Sequence, residues 1–418
     1  MNVILRLAVI LSLAATIATA QAPGRQKRTV TDAEVQRVHK SAILIDTHND
    51  VTSATVAGLD IGKPNTDHMT DLPRMKQGGM GAQIFAVYVA ASYVEGNHSA
   101  NRTLQMIDTV RHDIIDRYPR DFLVATTAAD IRRARREHKI AALLGIEGGH
   151  AIEDSLRLLR RYYDEGVRYM TLTHTNSNHW ADSSGDANKP NNGLSPFGKE
   201  VVAEMNRLGM IVDISHVADK TFWDALEVSK APIFASHSSC RALSPAPRNM
   251  TDEMIAALGK KHGVVQINFS CGFLNPEAYQ EEAATQEKMR ALRDQLIQKY
   301  ANDPQGLQRA MREARAQTGG GSTKRATLAD VVKHINHVVE IAGVDSVGLG
   351  SDFDGIGCAP EGLESVDKWP NLTRALLEEG YTAAEIRKIY GENTLRLMAA
   401  VEQAAKAAKS SSSGEPRL

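Results

Sequence analysis

Cysteine is scarce in this 418-residue chain, which holds only Cys240, Cys271 and Cys358. Three cysteines permit at most one disulfide bridge within the chain, and no pair has the CxxC spacing of a redox or zinc motif. A chain of this length does not depend on disulfides for a stable core. We therefore interpret each cysteine as a small buried apolar residue rather than as a metal ligand or a nucleophile.

An excess of charge of one sign is also lacking, since 49 Lys and Arg residues stand against 50 Asp and Glu residues. No overall field therefore favours nucleic acid or an anionic membrane, and we expect neither as a partner. The hydrophobic content of 42% is ordinary for a globular protein and supplies enough core for one large domain or two smaller ones. These features point to a small-molecule partner.

Long apolar runs are absent except at the start of the chain. Residues 1–20 combine Arg6, an apolar stretch over Leu7–Ile17 and a small-residue ending, which is typical of a signal peptide. A membrane anchor would need about 20 apolar residues, so an uncleaved anchor is the weaker alternative. We expect a linker at 21–30, a disordered tail at 406–418 without an anchor signal, and export to the periplasm or the medium.

Apolar β-branched runs alternate with amphipathic helical stretches between residues 31 and 405, as they do in βα units around a parallel sheet. Eight strands with intervening helices predict an α/β fold, a TIM-like (β/α)8 barrel forming one catalytic domain. A charged segment at Glu277–Ala316 predicts a helical insertion between the seventh and eighth strands. The predicted strands are Ile43–Asp46, Ala82–Val89, Ala141–Ile146, Val167–Leu172, Met210–Ile214, Ile233–Ser236, Val264–Asn268 and Val347–Gly350.

Reactive residues of such a barrel project from the carboxyl ends of its strands. Six of the eight predicted strands end in His, Asp or Glu, always at that end. A single histidine there is more often a satisfied polar residue, but the whole set favours a metal site. Imidazoles and carboxylates without thiolates suit an open catalytic zinc site. The residues are His48, Asp50, Glu147, His174, His216, His237 and Asp352.

Six ordered motifs carry a closer likeness. IDTHND, GIEGGH, MTLTHTNSNHWAD, DISHVAD, ASHSSCRAL with PRNMTD, and GLGSDFDG resemble the membrane (renal) dipeptidase family over about Val35 to Ala400. The resemblance implies a (β/α) barrel that holds two zinc ions per chain and hydrolyses dipeptides, in some members with a C-terminal D-residue. It also implies a homodimer.

Carried over position by position, the resemblance assigns a role to each residue of the site. It implies that His48 and Asp50 bind one zinc, that His216 and His237 bind the other, and that Glu147 bridges them. His174 and Arg248 would contact the substrate, and Asp352 would handle the proton while a zinc-bridged hydroxide attacks the peptide carbonyl. The chain departs from animal members at Asn176, where some relatives carry a disulfide cysteine, and at Thr47, where a glycine is frequent.

Two other functions remain open from the sequence. One is a metal-dependent amidohydrolase for another small amide or lactam, and the other is a non-catalytic exported binding protein. Amidohydrolases usually begin with His-x-His and carry a bridging lysine, whereas this chain has His48-x-Asp50 and Glu147, which favours the dipeptidase. The preferred dipeptides, β-lactam acceptance and the physiological metal stay open. Asp213 is equally compatible with orienting His216 and with a structural role.

Overall fold

The computed structural model describes residues 25–300, 306, 310 and 323–412. The predicted signal peptide and residues 21–24 of the predicted linker lie outside the described residues. Nine strands occur in the described part: β1 Leu44–Asn49, β2 Met80–Tyr88, β3 Phe122–Val124, β4 Ile140–Glu147, β5 Val167–Thr171, β6 Ile211–Asp213, β7 Phe234–Ser238, β8 Val264–Ile267 and β9 Val347–Leu349.

Eight of these strands form a nearly closed parallel barrel in the order β1-β2-β4-β5-β6-β7-β8-β9. The predicted (β/α)8 fold is therefore confirmed, and each predicted strand overlaps an observed one. The sequence analysis missed β3, which pairs in parallel with the first residues of β4 and lies outside the ring. A three-residue strand that is only partly buried has too short an apolar run to stand out.

The barrel closes between β1 and the segment that follows β9. The Asp50 backbone N–H donates to the Phe353 carbonyl at 2.9 Å, and the Asp352 N–H donates to the His48 carbonyl at 3.1 Å. Buried Asp46 adds a side-chain link, because its carboxylate accepts hydrogen bonds from the Ser351 N–H at 2.8 Å and the Ser351 hydroxyl at 2.7 Å. Closure therefore takes place at the carboxyl end of the strands, where the predicted site lies.

Helices surround the barrel, and hydroxyl caps fix the start of several of them. Thr127 and Thr327 each form a capping box with the aspartate three residues later, and Thr251 accepts from the Met254 N–H. The helices are α1 Asp32–Ser41, α2 Val51–Thr55, α3 Leu72–Gln77, α4 Ser99–Asp108, α5 Ala128–Arg136, α6 Leu156–Asp164, α7 Pro196–Leu208, α8 Asp219–Val228, α9 Asp252–Lys260, α10 Cys271–Leu274, α11 Pro276–Lys299, α12 Leu328–Ala342, α13 Trp369–Glu378, α14 Ala383–Arg387 and α15 Asn393–Ser412.

Two predicted segments differ from expectation in their extent. The predicted insertion begins with α11 and, because β3 was missed, falls between β8 and β9 in the observed numbering. The predicted insertion extends to Ala316, but most of residues 301–322 lie outside the described residues. The last helix runs to Ser412, so residues 406–412 are helical where we expected a disordered tail, since alanine and lysine favour a continued helix.

One disulfide joins two loops at the carboxyl end of the barrel. Cys271 at the start of α10 is bonded to Cys358 in the segment after β9, while Cys240 is a free and buried thiol. The sequence limited the chain to one bridge but did not identify the pair, because the two residues are 87 positions apart. None of the described helices has both the length and the apolar character that a bilayer crossing requires.

His334 on α12 connects three elements from a fully buried position. Its Nδ1 accepts the Cys240 N–H at 3.0 Å, and its Nε2–H donates to the Leu274 carbonyl at 3.0 Å. Both bonds require the neutral ring. Burial lowers the pKa of His334 to about 4. Between about pH 6.5 and pH 4 the unfolded chain therefore binds a proton at this histidine, whereas the folded protein does not.

We therefore expect His334 to make the protein less stable in acid. Because its folded pKa is depressed, its contribution is complete above pH 6.5 and is lost as the pH falls towards 4. At about 1.4 kcal/mol per pKa unit, the loss in free energy of unfolding is roughly 3 kcal/mol. Urea unfolding at pH 7 and pH 4.5 should show a smaller pH effect for His334→Gln than for wild type. The exposed-residue control His112→Gln should keep the wild-type effect, and equal pH effects in all three proteins would refute this assignment.

Candidate metal centre and active site

All the site residues predicted from the sequence lie at the carboxyl end of the barrel. His48, Glu147 and His237 belong to the last residues of β1, β4 and β7, and the others lie in the segments that follow β1, β5, β6, β7 and β9. Parallel strands bring these ends together although they are far apart in the chain. The structure thus assembles the whole predicted set around one point.

The carboxylate of Glu147 is the centre of this group. Its Oε1 lies 2.9 Å from His216 Nε2, 3.3 Å from His237 Nε2 and 3.8 Å from His174 Nε2. Its Oε2 lies 3.6 Å from His48 Nε2. Glu147 is only 4% exposed, so four imidazoles meet one carboxylate in a region almost closed to water.

Two sets of possible ligand atoms share Glu147. His216 and His237 form one set with it, and His48 and Asp50 form the other, each with its ligand atoms within 4.8 Å of one another. His216 Nε2 and His237 Nε2 are 3.0 Å apart, and buried His48 Nε2 has no hydrogen-bond partner. Lone pairs that converge in this way repel one another unless a cation lies between them, so the residues fit two metal ions bridged by one carboxylate.

The protonation states of His216, His237 and Glu147 favour metal binding. Burial lowers the pKa of His48, but attraction to Tyr169, Asp50 and Glu147 outweighs it and raises the pKa well above its usual value, so a metal ion would displace a proton from this ring. Burial, together with nearby positive groups, holds the pKa values of His216 and His237 well below the ordinary range, so both rings are neutral at pH 7. Burial raises the pKa of Glu147, but attraction to His48 and His174 and hydrogen bonds to the other two histidines outweigh it and hold the pKa well below its usual value. Neutral imidazole and ionised carboxylate are the forms that bind metals.

A tyrosine hydroxyl orients His48. The Tyr169 hydroxyl lies 2.7 Å from His48 Nδ1 and donates to the Thr47 carbonyl at 3.2 Å. Because this hydroxyl has only one proton, Nδ1 must supply the proton between the two rings, which leaves the Nε2 lone pair facing Asp50 and Glu147. The sequence analysis did not single out Tyr169, although a tyrosine within a buried strand needs a partner for its hydroxyl.

A serine and an aspartate orient His237 in the same way. The Ser236 hydroxyl lies 2.7 Å from His237 Nδ1 and donates to Asp213 Oδ2 at 2.6 Å, so Nδ1–H donates to the serine and Nε2 is free. Asp213 also accepts from the Thr171 hydroxyl and the Ser215 N–H. The sequence left open whether Asp213 orients His216 or has a structural role. The structure shows Asp213 linking neighbouring strands and contacting His237 through Ser236, and it shows no hydrogen bond between Asp213 and the His216 ring.

Arg248 presents a guanidinium group without a carboxylate partner. It donates to the Ser238 hydroxyl at 3.1 Å and to the His237 carbonyl at 2.9 Å, and it lies over the Phe273 ring. Within the described part of the chain, no carboxylate oxygen is within 4.0 Å of it, and burial lowers its pKa. Its Nε is buried and unpartnered. A fixed guanidinium with unused donors suits the carboxylate of a small ligand.

Asp352 lies beside the metal-binding atoms in a left-handed conformation with φ of 63°. Its Oδ2 accepts a hydrogen bond from Asn268 Nδ2 at 2.8 Å. Burial, reinforced by the negative charges of Asp50 and Glu147, raises the pKa of Asp352 well above its usual value. A carboxyl group with a raised pKa is suited to exchanging protons during a reaction.

His174 forms part of the wall of the site. Its ring lies 4.9 Å from Tyr88 and 4.5 Å from His216, measured between centroids. Burial lowers the pKa of His174, and its Nδ1 lies 3.2 Å from the Thr175 hydroxyl. The side chain therefore has one nitrogen held by the loop and the other directed towards Glu147.

A (β/α)8 barrel whose strand ends gather imidazoles and carboxylates around a shared glutamate has the architecture of a metal-dependent hydrolase. The chain belongs to the membrane dipeptidase family (peptidase family M19), whose family model matches residues 32–412. It is a metallo-dipeptidase of that family. An uncharacterized dipeptidase of Schizosaccharomyces pombe is 34% identical over 376 residues, which cover 86% of this chain and 81% of that protein.

Solved structures of similar proteins share the fold over nearly their whole length. The probable dipeptidase PvdM from Pseudomonas aeruginosa matches with a TM-score of 0.77 at 25% identity, over 89% of this chain and 98% of that one. A metallopeptidase from Rhodobacter sphaeroides, solved with a phosphinate mimic of the dipeptide L-Ala-D-Ala, matches with a TM-score of 0.69 at 25% identity, over 86% of this chain and 99% of that one.

We expect Tyr169→Phe to weaken metal binding by roughly 10- to 100-fold, the usual effect of removing a partner of a ligating histidine. The variant leaves His48 Nδ1 without its buried partner, so the ring is less well oriented. Titration with Zn²⁺ and with Mn²⁺ against a chromophoric chelator measures the change. Tyr162→Phe is a matched control, because the Tyr162 hydroxyl donates to the Ala151 carbonyl. Equal affinities in the two variants would contradict the expectation.

Proposed function

We propose that the protein is a zinc-dependent dipeptidase with two zinc ions per chain, acting on dipeptides that include those with a C-terminal D-residue. One zinc would be held by His48 and Asp50, the other by His216 and His237, with Glu147 shared. The observation that carries the proposal is the convergence of both ligand sets on one buried carboxylate. The Rhodobacter sphaeroides structure with its L-Ala-D-Ala mimic supports the substrate class.

When bound, a pair of zinc ions supplies an activated water near neutral pH and polarises the peptide carbonyl. The chain itself provides the surroundings in which this happens. The outer contacts of Tyr169 and Ser236 keep the two histidine rings in the tautomer that offers Nε2. Burial of Glu147 and His48 excludes bulk water, which strengthens every charge interaction in the site.

Arg248 would hold the terminal carboxylate of the dipeptide. Its guanidinium is fixed by two hydrogen bonds and by Phe273, while its remaining donors are free for a bidentate contact. A substrate anchored at that carboxylate places the one peptide bond of a dipeptide at a fixed distance from the anchor. The anchor therefore selects the peptide bond next to the terminal carboxylate, which in a dipeptide is the only one.

Asp352 would transfer protons during the reaction, and His174 would stabilise the negative charge that develops. Asp352 would take a proton from the attacking water and deliver it to the leaving amine, and Asn268 would hold its Oδ2 in place. His174 would stabilise the negative charge that develops on the carbonyl oxygen, and one well-placed donor of this kind contributes about 2.7 to 4 kcal/mol. His174 lies next to Glu147 and Asp352 lies next to His48 and His237 on another loop, so a substrate would lie between the two side chains.

Export and a homodimeric state complete the proposal. The signal-peptide pattern of residues 1–20 and the disulfide between Cys271 and Cys358 both support an oxidising compartment outside the cytoplasm. The family resemblance is the support for a homodimer. N-terminal sequencing of the exported protein and light scattering would test these two points.

Replacing Asp352 by Asn should leave the metal content unchanged and lower kcat by roughly 10²- to 10⁴-fold, because proton transfer is lost. Asparagine tolerates the left-handed backbone at this position. Asp354→Asn is a matched control, since Asp354 is also left-handed, with φ of 68°, and its carboxylate accepts the Met69 N–H. If Asp352→Asn lost metal instead of turnover, Asp352 would be chiefly a ligand.

Metal content and dipeptide hydrolysis should be measured together on the purified mature protein. We expect about two zinc ions per chain, and cleavage of L-Ala-L-Ala and Gly-D-Ala that a chelator abolishes and added zinc restores. Bound metal without cleavage of any dipeptide would favour another small amide as substrate. A protein that binds no divalent metal would refute the assignment of the site.

A further inference from the structure

A cavity of about 110 Å³ lies in the wall of the barrel mouth. The segments that follow β2, β4 and β5 line it, and two of them also carry residues of the metal centre. His150 in its wall is three residues beyond Glu147, and Asn176 is two residues beyond His174. The cavity is therefore built from the same loops as the active site. Its polar lining includes Ser99, His150, Glu153, Asp154, Asn176 and His179.

Buried atoms in this lining lack hydrogen-bond partners. His150 is 5% exposed, and its Nε2–H donates to the Val89 carbonyl at 2.9 Å. Burial lowers the pKa of His150 to about 4, so the ring is neutral and its unpartnered Nδ1 is an acceptor. The Ser99 hydroxyl, on a residue 1% exposed, and Asn176 Oδ1 are also buried without partners. Such groups are costly unless a ligand or water satisfies them.

The free groups are mainly acceptors, because the amide donors of Asn176 and Asn178 are already used and the free Ser99 hydroxyl can accept as well as donate. Asn176 Nδ2 donates to the Ser177 carbonyl at 3.3 Å, and Asn178 Nδ2 donates to the Leu172 carbonyl at 2.9 Å. His150 Nδ1 and Asn176 Oδ1 remain. The cavity therefore offers hydrogen-bond acceptors to a ligand that brings donors of its own.

Two neighbouring carboxylates add negative charge to the cavity. Glu153 accepts the Ala100 N–H at 2.9 Å, and Asp154 lies 2.6 Å from His179 Nδ1. The described residues that line the cavity include no lysine and no arginine. A ligand group that enters should therefore be cationic as well as rich in donors.

The cavity and Arg248 lie at separate positions around the barrel mouth. Arg248 follows β7, whereas the cavity lies beside the ends of β2, β4 and β5, which are two to four strand positions away in the ring of eight. A dipeptide with its carboxylate on Arg248 and its peptide bond at the metal centre would extend its N-terminal residue towards the cavity.

We propose that this cavity is a subsite for a basic side chain, lysine or arginine, on the N-terminal residue of the dipeptide. The inference rests on the proposed dipeptidase function and names a substrate class for it. A lysine ammonium group has three donors and no acceptor. It would match the free acceptors of His150 and Asn176 and the charges of Glu153 and Asp154.

The test compares L-Lys-L-Ala with L-norleucyl-L-Ala, whose side chain has the same four carbons without the ammonium group. We expect kcat/KM to be at least about tenfold higher for the lysine substrate at low ionic strength. A ratio at or below one, with both substrates hydrolysed, would overturn the subsite while the dipeptidase function stands. If neither these substrates nor L-Ala-L-Ala is hydrolysed, the dipeptidase function fails and the subsite with it.

Two variants assign the preference to this cavity. Asp154→Asn and Glu153→Gln each remove one charge, and asparagine suits the left-handed φ of 54° at position 154. Each should lower the lysine-to-norleucine ratio at least threefold. Asp164→Asn removes a comparably exposed carboxylate on α6 that pairs with Arg161, and it should keep the wild-type ratio. Both substrates are measured on one preparation, so a loss of folded enzyme does not change the ratio. An unchanged ratio in both cavity variants would overturn the proposal.

Discussion

The shared carboxylate of Glu147 is the constraint on which the rest of this structure depends. Its two oxygens must face imidazole nitrogens from the ends of four different strands in a region almost without water. The converging lone pairs of the neutral imidazoles repel one another unless positive charge lies among them. The barrel supplies the rigidity that holds them together, because each ligand belongs to a strand end whose backbone is fixed by two neighbouring strands.

Two buried aspartates connect the strands that carry the metal centre. Asp46 connects β1 to the segment after β9, and Asp213 connects β5, β6 and β7 through Thr171 and Ser236. Each lies two or three residues before a histidine of the metal centre. The residues that close the barrel are thus continuous with those that build the site, so fold and chemistry depend on the same hydrogen bonds.

The sequence predicted the barrel and the strand-end histidines and carboxylates at its mouth, because strand ends of one polarity must meet in a parallel ring, whereas Arg248 was expected only from the family resemblance. Tyr169, Ser236 and the link between Asp213 and His237 were not predicted, since these contacts join different strands and depend on register. The partner of Cys271 and the cavity beside His150 were missed for the same reason: both arise between loops that are distant in the chain. The short strand β3 left too weak an apolar pattern.

His216 and Asp352 have φ values of 67° and 63°, a region of backbone space that glycine occupies readily and other residues enter at a cost of about 1 to 3 kcal/mol. At these two positions the side chain that the reaction needs therefore lies on a backbone conformation that lowers the stability of the fold. A glycine at either one would relax the chain while it removed a functional side chain. Selection for thermal stability alone would therefore favour glycine at these two positions, and only a requirement for turnover keeps the histidine and the aspartate there.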